Sequence, residues 1–195
     1  MALAASATHR KRLRFLLLLA AFAVAAALLA REHLSPDYAD LDDTRRLTMA
    51  MAMYRDYAKD FPAVPDISAG RALYLQEAGK AVFVDLREPR EREVSVIPGA
   101  LTPPDFLAAW RQDPARFAGK TVVAYCTISY RSGEWIRDLE ADGGKAPEVE
   151  NLAGGLLAWL HAGGPLAGPD GRPTRRVHVY GAKWDLAPRG FTTVY

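Results

Sequence analysis

The chain of 195 residues carries 25 lysines and arginines against 23 acidic residues. A net charge of +2 is too small to indicate nucleic-acid binding as a main role. The single cysteine excludes an intramolecular disulfide, a zinc–cysteine cluster and a resolving thiol within the chain. The length allows one ordinary α/β domain with appended segments.

The N-terminal segment consists of a basic tail, residues 1–14, and an uncharged apolar run, residues 15–30. As a helix this run would extend roughly 24 Å, close to the hydrocarbon thickness of a bilayer, so it predicts a transmembrane helix or signal anchor. Basic residues before it and aspartates after it predict a cytoplasmic N-terminus, with the domain on the outer side, the periplasm if the protein is bacterial. The alternative is a cleaved signal peptide and a secreted or periplasmic product, although leucines stand where cleavage needs small residues.

The segment of residues 31–65 is predicted to be a spacer followed by a helix over residues 44–61. Ser68 is expected to cap the next helix, residues 69–78, which Gly79 would end. An apolar run over residues 81–86 then predicts a buried strand.

The central stretch begins with a β-branched apolar run, residues 121–125, that predicts a second buried strand. Cys126 follows directly, and a short polar loop leads into an amphipathic helix. Free amides at the start of that helix, its dipole and Arg131 would all favour a thiolate. A lone cysteine is more often a core residue, but hydroxyls, Arg131 and Gly133 surround this one. The sequence therefore predicts a catalytic thiol.

The C-terminal part predicts one more short strand, residues 149–152, and a helix over residues 156–161. Gly154 and Gly155 would let this helix start close to the sheet. Residues 167–195 mix basic and aromatic side chains. We interpret this segment as a C-terminal arm packed on the domain rather than a nucleic-acid-binding element.

The loop from Cys126 to Arg131, between a strand and a helix, resembles the active-site loop of the rhodanese (thiosulfate sulfurtransferase) family. Three further stretches match the family in order, residues 84–100, 149–159 and 161–166. The resemblance covers residues 66–166. It implies an α/β fold with a central, mostly parallel sheet flanked by helices. The transmembrane helix predicted over residues 15–30 would precede this domain.

The resemblance also implies an activity, sulfane-sulfur transfer through a persulfide on Cys126. The donor would be a small molecule such as thiosulfate, and the acceptor a thiol, cyanide or a protein. Neither a metal nor an organic cofactor is expected. The family places Arg87 near the active-site loop, although a surface ion pair with Glu88 or Glu91 explains that arginine equally well. The residues assigned to donor binding are Thr127, Ile128, Ser129, Tyr130, Arg131, Ser132 and Arg87.

Two other functions remain compatible with the sequence. One is a membrane-tethered rhodanese-like binding or sulfur-carrier module that does not turn over thiosulfate. The other is a cysteine-dependent phosphatase or arsenate reductase. The related phosphatases have one more residue between cysteine and arginine, so the four residues between Cys126 and Arg131 favour sulfur over phosphate.

Overall fold

The computed structural model describes residues 38–141 and 148–195 and, from the N-terminal segment, Leu17 alone. None of the helices in these ranges has the length and apolar character needed to cross a membrane. The apolar run of residues 15–30 lies outside the described residues apart from Leu17, so its role as an anchor stays a prediction.

The helices and strands follow the order expected of an α/β domain. The helices are α1 (Asp43–Tyr57), α2 (Ala69–Glu77), α3 (Pro89–Arg92), α4 (Pro103–Gln112), α5 (Tyr130–Ala141) and α6 (Gly155–His161), with 3-10 turns at Ala58–Asp60, Pro114–Phe117 and Ala182–Trp184. The strands are β1 (Asp66–Ile67), β2 (Ala81–Asp85), β3 (Thr121–Tyr125), β4 (Val149–Leu152), β5 (Arg176–His178) and β6 (Thr192–Val194). The predicted helix over residues 44–61 ends as an α-helix at Tyr57 and continues as a 3-10 turn.

The main sheet has four parallel strands in the order β1-β4-β3-β2. Strand β3 lies between β2 and β4, with Val82 opposite Val122 and Val122 opposite Val149. Such a strand is buried on both faces, which explains its uninterrupted apolar sequence. The prediction of an α/β fold with a parallel sheet flanked by helices is confirmed.

Alternate residues of β3 point to opposite faces of the sheet and supply two separate apolar cores. Val123 and Tyr125 pack into a core with residues of α1, α2 and α6. Val122 and Ala124 pack into a second core that contains Phe106 of α4 and Ile136 of α5. Because helices cover both faces, the chemistry is confined to the ends of the strands.

The C-terminal segment contributes to the first core. Val177, Val179 and Leu186 are fully buried in it, and β5 and β6 form a small parallel pair beside it. Ala50 and Tyr54 of α1, on the N-terminal side of the sequence, belong to the same core. The compact unit therefore spans residues 38–195 and includes segments on both sides of residues 66–166.

Candidate active site

The cysteine lies where the central strand ends. Cys126 follows β3 directly, is only 1% exposed, and is separated from α5 by three loop residues. Its carbonyl oxygen accepts a hydrogen bond from the Leu156 amide at 2.9 Å, and the Thr127 carbonyl accepts one from the Leu157 amide at 3.2 Å. The first turn of α6 thus fixes the backbone on which the sulfur is carried.

This docking requires a glycine at position 155. Gly155 has a φ of 61°, and a Cβ atom there would lie 2.6 Å from the Cys126 oxygen and 2.7 Å from the Thr127 oxygen. Another side chain would push α6 away from the cysteine loop. The two glycines were expected to bring this helix close to the sheet, and Gly155 brings it against the loop that follows β3.

A cavity of about 130 Å³ opens onto the sulfur. Several residues predicted to bind the donor lie in its wall, together with aromatic residues from outside the loop. The lining residues are Tyr57, Cys126, Thr127, Ile128, Tyr130, Arg131, Tyr180 and Trp184.

Arg131 reaches the cavity but is already paired. Its Nη1 and Nη2 atoms lie 2.7 and 2.9 Å from the two carboxylate oxygens of Glu91. Burial acts to lower the pKa of Arg131, but the hydrogen bonds to Glu91 and the adjacent Cys126 outweigh it and raise the pKa. The guanidinium is therefore permanently charged beside the thiol, yet largely neutralised by a carboxylate.

Glu91 belongs to the site, although the sequence indicated it only as a possible surface partner of Arg87. It is fully buried and accepts hydrogen bonds from Arg131, from the Thr127 hydroxyl at 3.1 Å and from the Glu88 amide at 2.9 Å. Burial acts to raise the pKa of Glu91, but these hydrogen bonds and the charge of Arg131 hold it below the ordinary range. The available signal was a capping box, since Glu88 is the N-cap of α3 and Glu91 is its third residue.

Arg87 does not line the cavity, so its assignment to donor binding is corrected. Its side chain is fully buried and donates from Nε and Nη2 to the carboxylate of Asp85, at 2.9 and 2.7 Å, and to the Ser95 carbonyl at 2.7 Å. The Tyr125 hydroxyl completes this group by donating to Asp85 at 2.7 Å. The surface pair with Glu88 or Glu91 is also wrong, because the nearer, buried Asp85 takes the guanidinium.

Ser129 of the loop and Ser132 of α5 are not among the residues that line the cavity. The Ser132 hydroxyl donates to Asn151 Oδ1 at 2.7 Å, and Asn151 Nδ2 donates to the Ser129 carbonyl at 3.1 Å. The amides of residues 127–129 have no acceptor within the described ranges. Amides in the first turn of a helix also lack intrahelical partners. The loop therefore keeps main-chain donors available for an anion.

The aromatic part of the wall comes from segments in which the sequence indicated no site residue. Tyr57 lies at the end of α1, and Tyr180 and Trp184 belong to the C-terminal arm. The sequence signal was the mixture of basic and aromatic residues after residue 167, which does not indicate where such an arm would lie.

The central part of the chain is similar to known proteins. A family model described as a rhodanese-like domain matches residues 68–162. An uncharacterized protein of Synechocystis is 36% identical over 94 residues, which is 47% of this chain and 49% of that protein. A sulfurtransferase of Allochromatium vinosum is 33% identical over 97 residues, which is 50% of this chain and 88% of that protein.

Among solved structures, a Rhodopseudomonas palustris protein described as a possible tyrosine phosphatase is 30% identical with a TM-score of 0.42. The match covers 60% of this chain and 92% of that protein. The chain spans about half the length of the Synechocystis relative.

We predict that Ser129→Gly stabilises the protein. Ser129 has a φ of 62°, where a non-glycine residue is strained, and its Oγ is buried without a partner in the described part of the chain. Removing both costs should raise the free energy of unfolding by about 1 kcal/mol. Urea unfolding followed by circular dichroism measures the change.

The matched variants separate the two causes. Ser129→Ala keeps the strain and removes only the hydroxyl, so its stability should lie between those of the wild type and Ser129→Gly. Ser132→Ala removes the hydrogen bond that the hydroxyl donates to Asn151, so this variant should be less stable than the wild type. If Ser129→Gly is less stable than the wild type, the inference of backbone strain at residue 129 is wrong.

Proposed function

The chain belongs to the rhodanese-like domain family, and on that premise we propose that it is a sulfurtransferase that carries sulfane sulfur as a persulfide on Cys126. The observation that carries the proposal is the position of this single cysteine. It stands at the C-terminal end of a central parallel strand, lines a small cavity, and is followed by loop amides that have no acceptor among the described residues.

The transfer takes two steps. The Cys126 thiolate attacks the outer sulfur of a donor, a new sulfur–sulfur bond forms, and the bond to the rest of the donor breaks. With thiosulfate the leaving group is sulfite, which departs with the electron pair. A thiol, cyanide or protein acceptor then attacks the outer sulfur of the persulfide and releases the thiolate. In each step one bond to the transferred sulfur forms as another breaks, so neither step requires an oxidant, a reductant or a metal.

The loop amides and Arg131 would stabilise charge during this exchange. Amide donors that need not reorganise favour an anion at the N-terminal end of the helix. Arg131 lies beside the sulfur, but Glu91 holds its position and offsets its charge. We therefore assign Arg131 mainly to fixing the loop, with the amides as the main anion donors.

Two other functions give different outcomes in the same experiment. A sulfur-carrier module would accept sulfur on Cys126 from some donors without turning over thiosulfate. A phosphatase would hydrolyse a phosphate ester and would not gain sulfur. The four residues between Cys126 and Arg131 favour the sulfur chemistry.

We predict that Cys126 gains the mass of one sulfur atom when the protein is treated with a sulfane donor. Thiosulfate and inorganic polysulfide are used in parallel, and intact-mass spectrometry reads the product before and after reduction. Cys126→Ser should gain nothing, because it lacks the only thiol of the chain. A protein that hydrolyses an aryl phosphate and never gains sulfur would overturn the proposal.

We also propose that residues 15–30 anchor the protein in a membrane, with the N-terminus cytoplasmic and the domain on the outer side. Support comes from the charge asymmetry around this run. Because Cys126 is buried, a label needs an exposed thiol, and Tyr74 is 59% exposed. In a Cys126→Ser background, Tyr74→Cys should react with a membrane-impermeant maleimide on intact spheroplasts.

The location experiment has two contrary outcomes. Labelling only after lysis would put the domain on the cytoplasmic side. A soluble product that begins near Arg31 would identify the segment as a cleaved signal peptide.

A further inference from the structure

A chain of side-chain hydrogen bonds connects α1 with the cysteine loop. Ser132 Oγ donates to Asn151 Oδ1 at 2.7 Å, and Asn151 Nδ2 donates to the Tyr54 hydroxyl at 3.2 Å. The same Nδ2 atom donates to the Ser129 carbonyl at 3.1 Å, and the Tyr54 hydroxyl donates to the Asp66 carboxylate. We call Asp66, Tyr54 and Asn151 the polar bridge.

The two ends of the polar bridge fix the direction of every hydrogen bond in it. A carboxylate can only accept, so Tyr54 donates to Asp66 and keeps a lone pair for Asn151. Burial and the hydrogen bond to Asp66 raise the pKa of Tyr54, so its hydroxyl stays protonated. The Ser129 carbonyl also only accepts, so the amino end of the Asn151 carboxamide must face both Tyr54 and Ser129. The carboxamide therefore has one orientation that satisfies all its neighbours.

The polar bridge begins outside the matched rhodanese-like domain. The family match covers residues 68–162, whereas Tyr54 belongs to α1 and Asp66 to the start of β1. Tyr54 and Asn151 are buried, and Asp66 is exposed. The hydroxyl that orients Asn151 is therefore supplied from outside the matched domain.

Ser129 requires a restraint from its surroundings. Its φ of 62° lies in a region that few residues other than glycine adopt. Strained backbone of this kind persists where surrounding contacts hold it, and it is concentrated at functional sites. The Ser129 carbonyl accepts from Asn151 Nδ2 at 3.1 Å and from the Gly133 amide at 3.3 Å. The shorter contact comes from β4, so Asn151 ties the strained residue to the sheet.

The Ser129 carbonyl also sets the direction of the next amide. The C=O and N–H groups of a planar trans peptide point in opposite directions, so holding this carbonyl turns the Tyr130 amide away from Asn151. Tyr130 begins α5 and lines the cavity beside Cys126. Its amide has no acceptor among the described residues, as expected at the start of a helix. It is a free main-chain donor whose direction depends on Asn151.

Two other amides of the loop are directed by α6. The amides of Leu156 and Leu157 bind the carbonyls of Cys126 and Thr127, which turns the two amides that follow those carbonyls. Those restraints are bonds between backbone groups. The Tyr130 amide differs because a side chain holds the carbonyl before it. A single hydroxyl in α1 can therefore change how firmly this donor is aimed.

We propose that Tyr54 is a positioning residue for sulfur transfer, because it orients the side chain that holds the Ser129 carbonyl and so aims the Tyr130 amide at the reacting anion. The inference rests on the proposed function. In the step, the Cys126 thiolate forms a bond to the outer sulfur of the donor, the bond to the rest of the donor breaks, and the leaving group departs with the electron pair. An amide that is already aimed stabilises this shifting negative charge without reorganising.

The first experiment removes the hydroxyl and keeps the buried ring. In Tyr54→Phe, Asn151 Nδ2 loses one acceptor and the Ser129 carbonyl is held less firmly. The rate constant for persulfide formation on Cys126 is measured with thiosulfate and with inorganic polysulfide, by rapid quench and intact-mass spectrometry. It should fall about fivefold, equivalent to about 1 kcal/mol.

A spectroscopic readout separates positioning from a general loss of stability. The carbon-13 resonance of the Ser129 carbonyl reports the hydrogen bonds that its oxygen accepts, and it should move upfield in Tyr54→Phe. Formation of the persulfide should shift the Tyr130 amide resonance in the wild type and shift it less in this variant.

Two further variants complete the test. Thr48→Gly is the matched control, because Thr48 is exposed in α1 and glycine weakens a helix without touching the polar bridge. It should lower stability and leave both the rate constant and the Ser129 resonance unchanged. Asp66→Ala removes the exposed acceptor of the Tyr54 hydroxyl and should change both in the same direction as Tyr54→Phe, by a smaller factor. It keeps the test open if Tyr54→Phe does not fold.

The outcomes distinguish the two proposals. A wild-type protein that forms no persulfide with either donor would overturn the proposed function, while the Ser129 resonance would still test the polar bridge. If persulfide forms readily but neither bridge variant slows it, or if Thr48→Gly slows it as much as Tyr54→Phe, Tyr54 is not a positioning residue. A Ser129 resonance that stays in place in Tyr54→Phe leads to the same conclusion.

Discussion

The buried pair between Glu91 and Arg131 is the constraint on which the cysteine loop depends. A fully buried carboxylate is costly unless it is paired, and Glu91 receives two guanidinium hydrogen bonds and one from Thr127. Through these bonds α3 holds both the first and the fifth residue after Cys126. The loop therefore has a fixed shape before any donor arrives, and pre-organised donors are more effective in catalysis.

A second element holds the loop from the opposite side. The amides of Leu156 and Leu157 bind the carbonyl oxygens of Cys126 and Thr127, and Gly155 allows this approach. Carbonyl groups turned toward α6 leave the amides of residues 127–129 for an anion. The Glu91 carboxylate and the amides of α6 thus hold the loop with its carbonyl groups toward α6 and its amides free for an anion. Cys126 itself is only 1% exposed to solvent.

The strand–cysteine–helix unit was predictable because its signals are local. The apolar run of Thr121–Tyr125 and the amphipathic pattern of Tyr130–Ala141 each lie within one element. The partner of Arg131 was not predictable, since Glu91 is 40 residues away and the sequence indicated it only as a possible surface partner of Arg87. Sequence spacing does not reveal which of several carboxylates a fold brings into the interior.

The same reason explains the error at Arg87 and the missed aromatic part of the cavity wall. Burial decides that Arg87 pairs with Asp85, and burial follows from the packing of the whole domain. The position of the arm near Cys126 depends on Val177 and Val179 entering a core formed mainly by distant residues. Basic and aromatic residues in a terminal segment carry no information about that docking.

A double-mutant cycle on Glu91 and Arg131 tests this account most directly. The free energies of unfolding of Glu91→Gln, Arg131→Gln and the double variant would be measured in urea. If the pair holds the loop, each single change leaves its partner uncompensated, and the double variant should lose at least about 1 kcal/mol less than the sum of the single losses. Additive losses would contradict the account, because the two side chains would then stabilise the protein independently.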